Sequence, residues 1–389
     1  MIIKPRVRNF ICLTAHPVGC AAGVAEEIAY IRRQAPFKTG SRALIIGSST
    51  GYGLASRITL AFGGGADTLG IMFERPAAGK RTASSGFYND RAFLEAARAV
   101  GQKAFTINKD AFSPDCKAEA LDLVRGEFGQ VDTVIYSLAA PRRTDAAGQV
   151  WNSVIKPIGE TYTGKSLDLS DNSIKTVTLE PADEAEIEAT IKVMGGEDWY
   201  DWIKALDDAK LLAPGATTLA YSYIGPDSTA AIYRDGTIGR AKEDLYQTAA
   251  KLRQDFADSG LKAAVSVNKA LVTQSSAAIP SVSLYISVLY KKMKERGTHE
   301  GCIEQMYRLF SERLPEGGPV TDDRHLIRLD DWEMATDLQQ EIAELWPDLS
   351  TENITQLGDI GGYWEDFYRI FGFGVKGVDY EADVPTDLL

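Results

Sequence analysis

The sequence predicts an α/β fold built on a doubly wound parallel sheet. Three observations predict it. Short β-rich runs alternate with helix-patterned runs through most of the 389 residues. The strand candidates are strongly apolar, as strands covered on both faces should be. The first of them ends in a glycine-rich turn that hands over to a helix.

The strand candidates are "ALIIGSS" from Ala43, "DTLGIMFE" from Asp67, "KAFTINK" from Lys103, "VDTVIYSLA" from Val131, "TTLAYSY" from Thr217 and "AAVSVNKALV" from Ala263. Between them "DRAFLEAARAVG", "AEALDLVRGEFG" and "AKEDLYQTAAKLRQDFADSG" carry apolar residues at helical spacing. Residues 151–196 begin with turn-rich, alternating sequence that suits a hairpin. Beyond Met293, "GCIEQMYRLFSERL" and "DDWEMATDLQQEIAELW" read as further helices. No repeat or low-complexity linker interrupts the chain, so this extra material is expected to pack onto the sheet.

Composition narrows the class. With 44% hydrophobic and 25% charged residues, the chain is an ordinary globular protein. No apolar run reaches the roughly 18 residues of a membrane span. "MIIKPRVRNF" lacks the apolar stretch and cleavage site of a secretory signal. A cytoplasmic protein without membrane insertion is expected. A net charge of -12 argues against nucleic acid as a partner. Cys12, Cys20, Cys116 and Cys302 form no CxxC pair, and His16, His299 and His325 are scattered, so no metal site is expected.

The turn in "ALIIGSSTGYGLASRI" places Gly47, Gly51 and Gly53 between the first strand and its helix. Glycine permits positive φ there and lets the backbone approach a pyrophosphate, which the helix N-terminus stabilises. The turn residues Gly47, Ser48, Ser49, Thr50, Gly51, Tyr52 and Gly53 are therefore candidates for binding a dinucleotide in a Rossmann-type fold. The bland alternative is a tight strand-helix turn without a ligand. Phe73 and Glu74 end the second strand, where an acid accepts hydrogen bonds from an adenosine ribose. Glu74 would also repel a 2'-phosphate and favour NADH, although Arg75 beside it could pair with one. Asp110 and Ala111 follow the third strand on the adenine side, and Leu138 and Ala139 follow the fourth near the nicotinamide. Either pair could equally be strand-end packing. Leu271, Val272 and Thr273 follow the sixth strand, placed to meet the carboxamide.

The G-x3-G-x-G spacing of Gly47, Gly51 and Gly53 resembles that of short-chain dehydrogenase/reductases, and this resemblance implies a catalytic tyrosine and lysine after the fifth strand, often as Y-x3-K. The spacing Y-x3-K occurs at Tyr200/Lys204 and Tyr290/Lys294, but the first precedes that strand and the second follows the sixth. Both read as helix residues. Tyr233 and Lys242 alone fall in the right interval. Nine residues apart, they would face opposite ways on one unbroken helix. A turn at Asp235-Gly236, with a helix starting near an N-cap at Thr237, removes that objection. Lys242 could then bond the nicotinamide ribose and favour the tyrosinate form of Tyr233. Tyr233 could donate a proton to a developing enolate. In "LAYSYIGP", Tyr221 and Tyr223 share a face, and Tyr223 is the candidate substrate contact. The run "SSAAIPSVSLYISVLY" could cover an acyl chain or be a core helix beginning at Pro280. The basic run "KKMKER" from Lys291 reads as a solvated helix face.

With these residues assembled, the chain resembles the bacterial NADH-dependent trans-2-enoyl-CoA and enoyl-acyl-carrier-protein reductases of the large single-chain type. The resemblance runs from "HPVGC" through "VMGGEDW", "AYSYIGP", "GTIGRAK" and "SVNKALVT" to "HEGCIEQ". Its most specific element is Tyr-x8-Lys. It implies a short-chain dehydrogenase/reductase-like domain with N-terminal, hairpin and C-terminal additions. It also implies hydride transfer from NADH to the β-carbon of a 2-enoyl thioester, with Tyr233 as proton donor, Lys242 as cofactor ligand and Tyr223 as substrate contact. Enoyl-CoA or enoyl-acyl-carrier-protein is the implied substrate, and a monomer the implied state. The organisation expected is one elaborated domain over 1–389. A cofactor-binding half lies at 40–145, an inserted hairpin and helix region at 151–196, a catalytic half with its covering helix at 197–295, and a helical extension at 296–389. A ketone or alcohol oxidoreductase on this fold, or a nicotinamide-binding regulator without turnover, are the competing readings.

Overall fold

The computed structural model describes residues 1–8 and 11–387. Seven strands form its central sheet: β1 Arg42–Ile46, β2 Asp67–Met72, β3 Ala104–Asn108, β4 Val131–Tyr136, β5 Leu212–Ser222, β6 Lys262–Val267 and β7 Leu326–Arg328. They lie in the order β7-β6-β5-β4-β1-β2-β3, and every adjacent pair is parallel. Ala43, Leu44, Ile45 and Ile46 are all fully buried, because helices cover both faces. The strand order reverses between β1 and β4. Their carboxyl ends therefore part into a crevice, where open α/β sheets bind ligands.

The helices are α1 Pro17–Arg33, α2 Gly51–Phe62, α3 Ser85–Ala99, α4 Pro114–Leu123, α5 Glu184–Met194, α6 Glu197–Asp208, α7 Thr237–Asp255, α8 Val282–Arg296, α9 Cys302–Arg308, α10 Thr336–Leu345, α11 Ile354–Leu357 and α12 Ile360–Ile370. One face of the sheet packs on α4, α6 and α7 through residues such as Trp199, Trp202, Leu245 and Leu252. The other packs on α1, α2, α3 and α9 through Ile28, Ile58, Phe93 and Met306. A third core joins α8, α10 and α12 around Tyr285, Leu289, Ile342 and Phe367. Beneath α2, the Arg57 guanidinium is wholly buried but fully engaged. It meets Asp90 at 2.8 Å, Thr106 at 3.0 Å and the Phe105 carbonyl at 2.6 Å, fastening α3 and β3.

The expected hairpin is present, Tyr162–Asp168 paired antiparallel with Ser173–Leu179. A shorter one, Arg142–Thr144 with Val150–Asn152, precedes it. Two elements differ from expectation. "DDWEMATDLQQEIAELW" is helical only from Thr336, because Asp330 is held by the guanidinium of Arg328 at 2.7 and 2.6 Å and the chain turns there. The helix expected at Pro280 begins at Val282, because Ser281 takes a left-handed φ of 65°. Ser281 is tied to the hairpin instead, through Ser166 at 3.2 Å and Tyr162 at 3.0 Å. The basic run from Lys291 is only partly exposed, with Met293 buried, and its charges are matched by acids. Lys292 meets Glu341 at 2.5 Å, Lys294 meets Asp359 at 2.6 Å and Arg296 meets Asp337 at 2.6 Å. No helix among the described residues is long and apolar enough to cross a membrane.

Candidate active site

At the crevice the molecule opens a cleft of about 1180 Å3. Its floor is the turn after β1. Gly47 and Gly51 have φ of 86° and 53°, which L side chains rarely adopt. A Cβ on Gly53 would stand 1.8 Å from the Gly47 carbonyl oxygen, so the turn closes only with glycine there. Thr50 makes no capping hydrogen bond to α2. The first N–H groups of that helix are thus open to a ligand. Gly47, Ser49, Thr50, Gly51 and Tyr52 line the cleft, whereas Ser48 and Gly53 do not. The Ser48 N–H and hydroxyl both bond the Ile71 carbonyl, at 3.0 and 3.3 Å, and turn the residue into the sheet. Gly53 acts on the shape of the turn from behind.

Phe73, Glu74, Asp110, Ala111, Leu138, Ala139, Leu271, Val272 and Thr273 line the same cleft. Phe73 is 78% exposed at its edge. The Glu74 carboxylate accepts the Ser49 hydroxyl at 2.7 Å. It lies across the start of α3, where a Cβ on Gly86 would come within 2.1 Å of it. Asn108 holds the Glu74 backbone on both sides, at 2.7 and 2.8 Å.

Tyr233 and Lys242 also line the cleft. A short 3-10 turn, Asp227–Ile232, ends at Tyr233, and the loop folds back through Asp235 N–H to Ala230 O at 2.8 Å. Gly239 N–H then bonds Tyr233 O at 2.9 Å, setting the tyrosine beside the first turn of α7. The N-cap is Gly236 rather than Thr237. Thr237 is the first helical residue, and its hydroxyl donates instead to the Val154 carbonyl at 2.6 Å. The Lys242 ammonium donates to the Tyr221 carbonyl at 3.0 Å, and burial pushes it down to about 8. Burial pushes the Tyr233 hydroxyl up, and Tyr246 adds to the rise. Tyr233 is accordingly held neutral, and the expected tyrosinate is not the form this environment favours.

Neither closer-spaced pair reaches the cleft. Tyr200 donates to Asp255 at 2.8 Å and Lys204 to Asp208 at 2.6 Å, both on the outer side of α6. Tyr290 is buried and donates to Asp366 at 2.8 Å, while Lys294 pairs with Asp359. Tyr223 lines the cleft with its ring edge on Tyr233, the centroids 4.9 Å apart and the planes at 76°. Ile279, Val282 and Ile286 form an apolar wall at the start of α8.

Lys269 is a cleft residue that sequence reasoning missed. It is 2% exposed, burial pushes it down to about 8, and it donates to the Ala270 carbonyl at 3.1 Å. A lone lysine inside the apolar run "VSVNKALV" was the available signal.

Residues 2–79 match the family model described as the NAD(P)H binding domain of trans-2-enoyl-CoA reductase, and residues 81–315 match its catalytic region. The chain belongs to the trans-2-enoyl-CoA reductase family. Among its relatives, an enoyl-[acyl-carrier-protein] reductase [NADH] of Flavobacterium johnsoniae is 54% identical over 98% of this chain and 97% of its own. A trans-2-enoyl-CoA reductase [NADH] of Ruminiclostridium cellulolyticum is 50% identical over 100% of this chain and 98% of its own. The crystal structure of Clostridium acetobutulicum trans-2-enoyl-CoA reductase in complex with NADH superposes with a TM-score of 0.97. It is 41% identical and covers 100% of this chain and 98% of its own.

A third family model, described as an enoyl reductase FAD binding domain, matches residues 321–384. This stretch of the reductase does not fit a flavin dinucleotide. A pyrophosphate calls for free backbone N–H groups, which an uncapped helix start supplies. Here α10 carries Asp337 in its first turn, α11 has four residues, and Asp359 caps α12 by accepting Gly362 N–H at 2.9 Å. The open, glycine-lined start of α2 does fit such a group.

Proposed function

We propose that this reductase uses NADH to reduce the 2,3 double bond of trans-2-enoyl thioesters carried on coenzyme A or on acyl carrier protein. The observation that carries the reading is the entry of Tyr233 and Lys242 into one cleft with the glycine turn of α2. NADH, when bound, supplies the hydride for the β-carbon. The N–H groups at the start of α2 would hold its pyrophosphate, and Glu74 would accept from the adenosine ribose. Lys242 would donate to the nicotinamide ribose, with Leu271, Val272 and Thr273 facing the carboxamide.

Tyr233 is the proton donor in this reading. A neutral, buried tyrosine suits the task, because it gives a hydrogen bond to the enolate oxygen as charge develops and keeps its proton until then. Tyr223 stands beside it and would meet the substrate through its ring. The wall of Ile279, Val282 and Ile286 would cover the acyl chain and exclude water.

The test is NADH oxidation with crotonyl-CoA, longer enoyl-CoAs and enoyl-acyl-carrier-protein at matched concentrations. Tyr233→Phe is expected to keep NADH affinity and lose about 10²- to 10⁴-fold in kcat. A Tyr233→Phe protein with full activity would overturn the assignment. Consumption of NADH by ketones but not by enoyl thioesters would favour the alternative oxidoreductase.

A further inference from the structure

Glu333 belongs to none of the motifs above. It lies in the turn after β7 with no exposed surface. Its Oε2 accepts the Ala270 N–H at 2.7 Å. Its Oε1 accepts two hydroxyls, Tyr285 at 2.8 Å and Tyr223 at 3.0 Å. The direction of these bonds follows from the donors. Gln339 Nε2 can only donate, and it donates to the Tyr285 hydroxyl at 3.0 Å. The Tyr285 oxygen is thus an acceptor, and its own proton goes to Glu333. Ala270 N–H is likewise a fixed donor. Both oxygens thus receive, and the Tyr223 hydroxyl directs its single proton to Oε1 in this arrangement. Burial pushes the Glu333 carboxyl up, and the Lys269 ammonium and its hydrogen-bond donors oppose that rise.

The consequence falls on the reaction site. With its proton committed to Glu333, Tyr223 is not free to donate to a substrate carbonyl in this arrangement. It offers a ring fixed at both ends: the hydroxyl on Glu333, and an edge against Tyr233 at 4.9 Å. We propose that Glu333 is a positioning residue for enoyl-thioester reduction, acting through Tyr223 to hold Tyr233 in its proton-donating pose. The proposal rests on the assignment of Tyr233 above. It places a determinant of the chemistry in the C-terminal part of the chain, at a carboxyl group that touches neither substrate nor cofactor.

A double-mutant cycle tests it. Glu333→Gln keeps the shape, but its amide cannot accept from Ala270 and from both tyrosines together. Glu333→Asp keeps the carboxyl group and withdraws it by one methylene. Each is expected to bind NADH within about threefold of the parent and to lose about 10- to 100-fold in kcat with crotonyl-CoA. Tyr223→Phe, which breaks the same bond from the other side, should lose a similar factor. The Glu333→Gln/Tyr223→Phe double variant should be no worse than either single one, as for residues that act as a unit. Tyr285→Phe, which leaves the bond to Tyr223, should stay within about threefold of parental kcat.

Additive losses in the cycle, or full kcat in a folded Glu333→Gln or Glu333→Asp protein, would overturn the proposal. Should Glu333→Gln fail to fold, the cycle runs with Glu333→Asp under the same expectations. Failure of the underlying reading looks different: the parent protein would itself leave NADH unoxidised with every enoyl thioester.

Discussion

Replacing Lys242 by methionine is expected to stabilise the cofactor-free protein while abolishing turnover. Burial lowers the Lys242 ammonium from 10.5 to about 8. At roughly 1.4 kcal/mol per pH unit, that fall corresponds to at most about 3 kcal/mol of instability, since water in the open cleft screens part of it. Methionine fills a similar volume without charge, but leaves the Tyr221 carbonyl without its donor, which offsets about 1 kcal/mol. The net gain is about 2 kcal/mol. With roughly 2.1 cal/mol/K of unfolding entropy per residue, the melting temperature rises by about 2 °C in a chain of this length.

The pH dependence has a definite sign. Below pH 8 the lysine is charged in both the folded and the unfolded chain, and the burial penalty is present in full. Between about 8 and 10.5 the folded chain releases this proton while the unfolded chain keeps it, so the parent gains stability relative to the methionine variant. Calorimetry across that range should show the two curves converging. A variant less stable than the parent at pH 7, or a gain that persists unchanged above pH 10.5, would refute charge burial as the cause.

Glu74→Ala removes the carboxylate that Ser49 sets at the start of α3, and should raise kcat/KM for NADPH relative to NADH by about tenfold or more. Paired assays with the two cofactors measure it, and an unchanged ratio would discard Glu74 as the selector. Gly53→Ala drives a Cβ to 1.8 Å from the Gly47 carbonyl oxygen. It should lower stability by about 1–3 kcal/mol and weaken NADH binding, read by melting and by fluorescence titration. Ile286→Phe narrows the α8 wall and should reduce kcat/KM for long enoyl-CoAs about tenfold relative to crotonyl-CoA. A uniform loss at all chain lengths would place the acyl chain elsewhere.

Six of the seven sheet strands were legible because each contains an apolar-rich run of five or more residues. β7 was not. Its three residues, Leu326–Arg328, follow a charged turn and carry too little pattern to register. Topology served better than spacing for Tyr233 and Lys242: counting strands rejected two tighter decoys that local spacing favoured. Lys269 was read as part of a strand, yet β6 stops at Val267 and frees it to face the cleft. Glu333 was hidden inside a stretch read as helix, and its partners Tyr223, Ala270 and Tyr285 lie between 48 and 110 residues away in sequence. Local pattern does not encode contacts at that range. The helix α1 was also unread, although His16 caps it and Pro17 opens it.

The parallel sheet bears on how segments of such proteins could be exchanged. The three matched stretches divide the chain at 79–81 and 315–321, yet β2 of the first pairs with β3 of the second, and β6 of the second pairs with β7 of the third. A chimera joined at those points would have to match strand edges between parents, and the second junction would also place Tyr223 opposite a foreign Glu333. Grafts confined to the hairpin Tyr162–Leu179 that keep Tyr162, Ser166 and Leu167 leave every rung of the sheet within one parent. Recombination between relatives should therefore yield active proteins far more often at the hairpin than at boundaries drawn from sequence similarity.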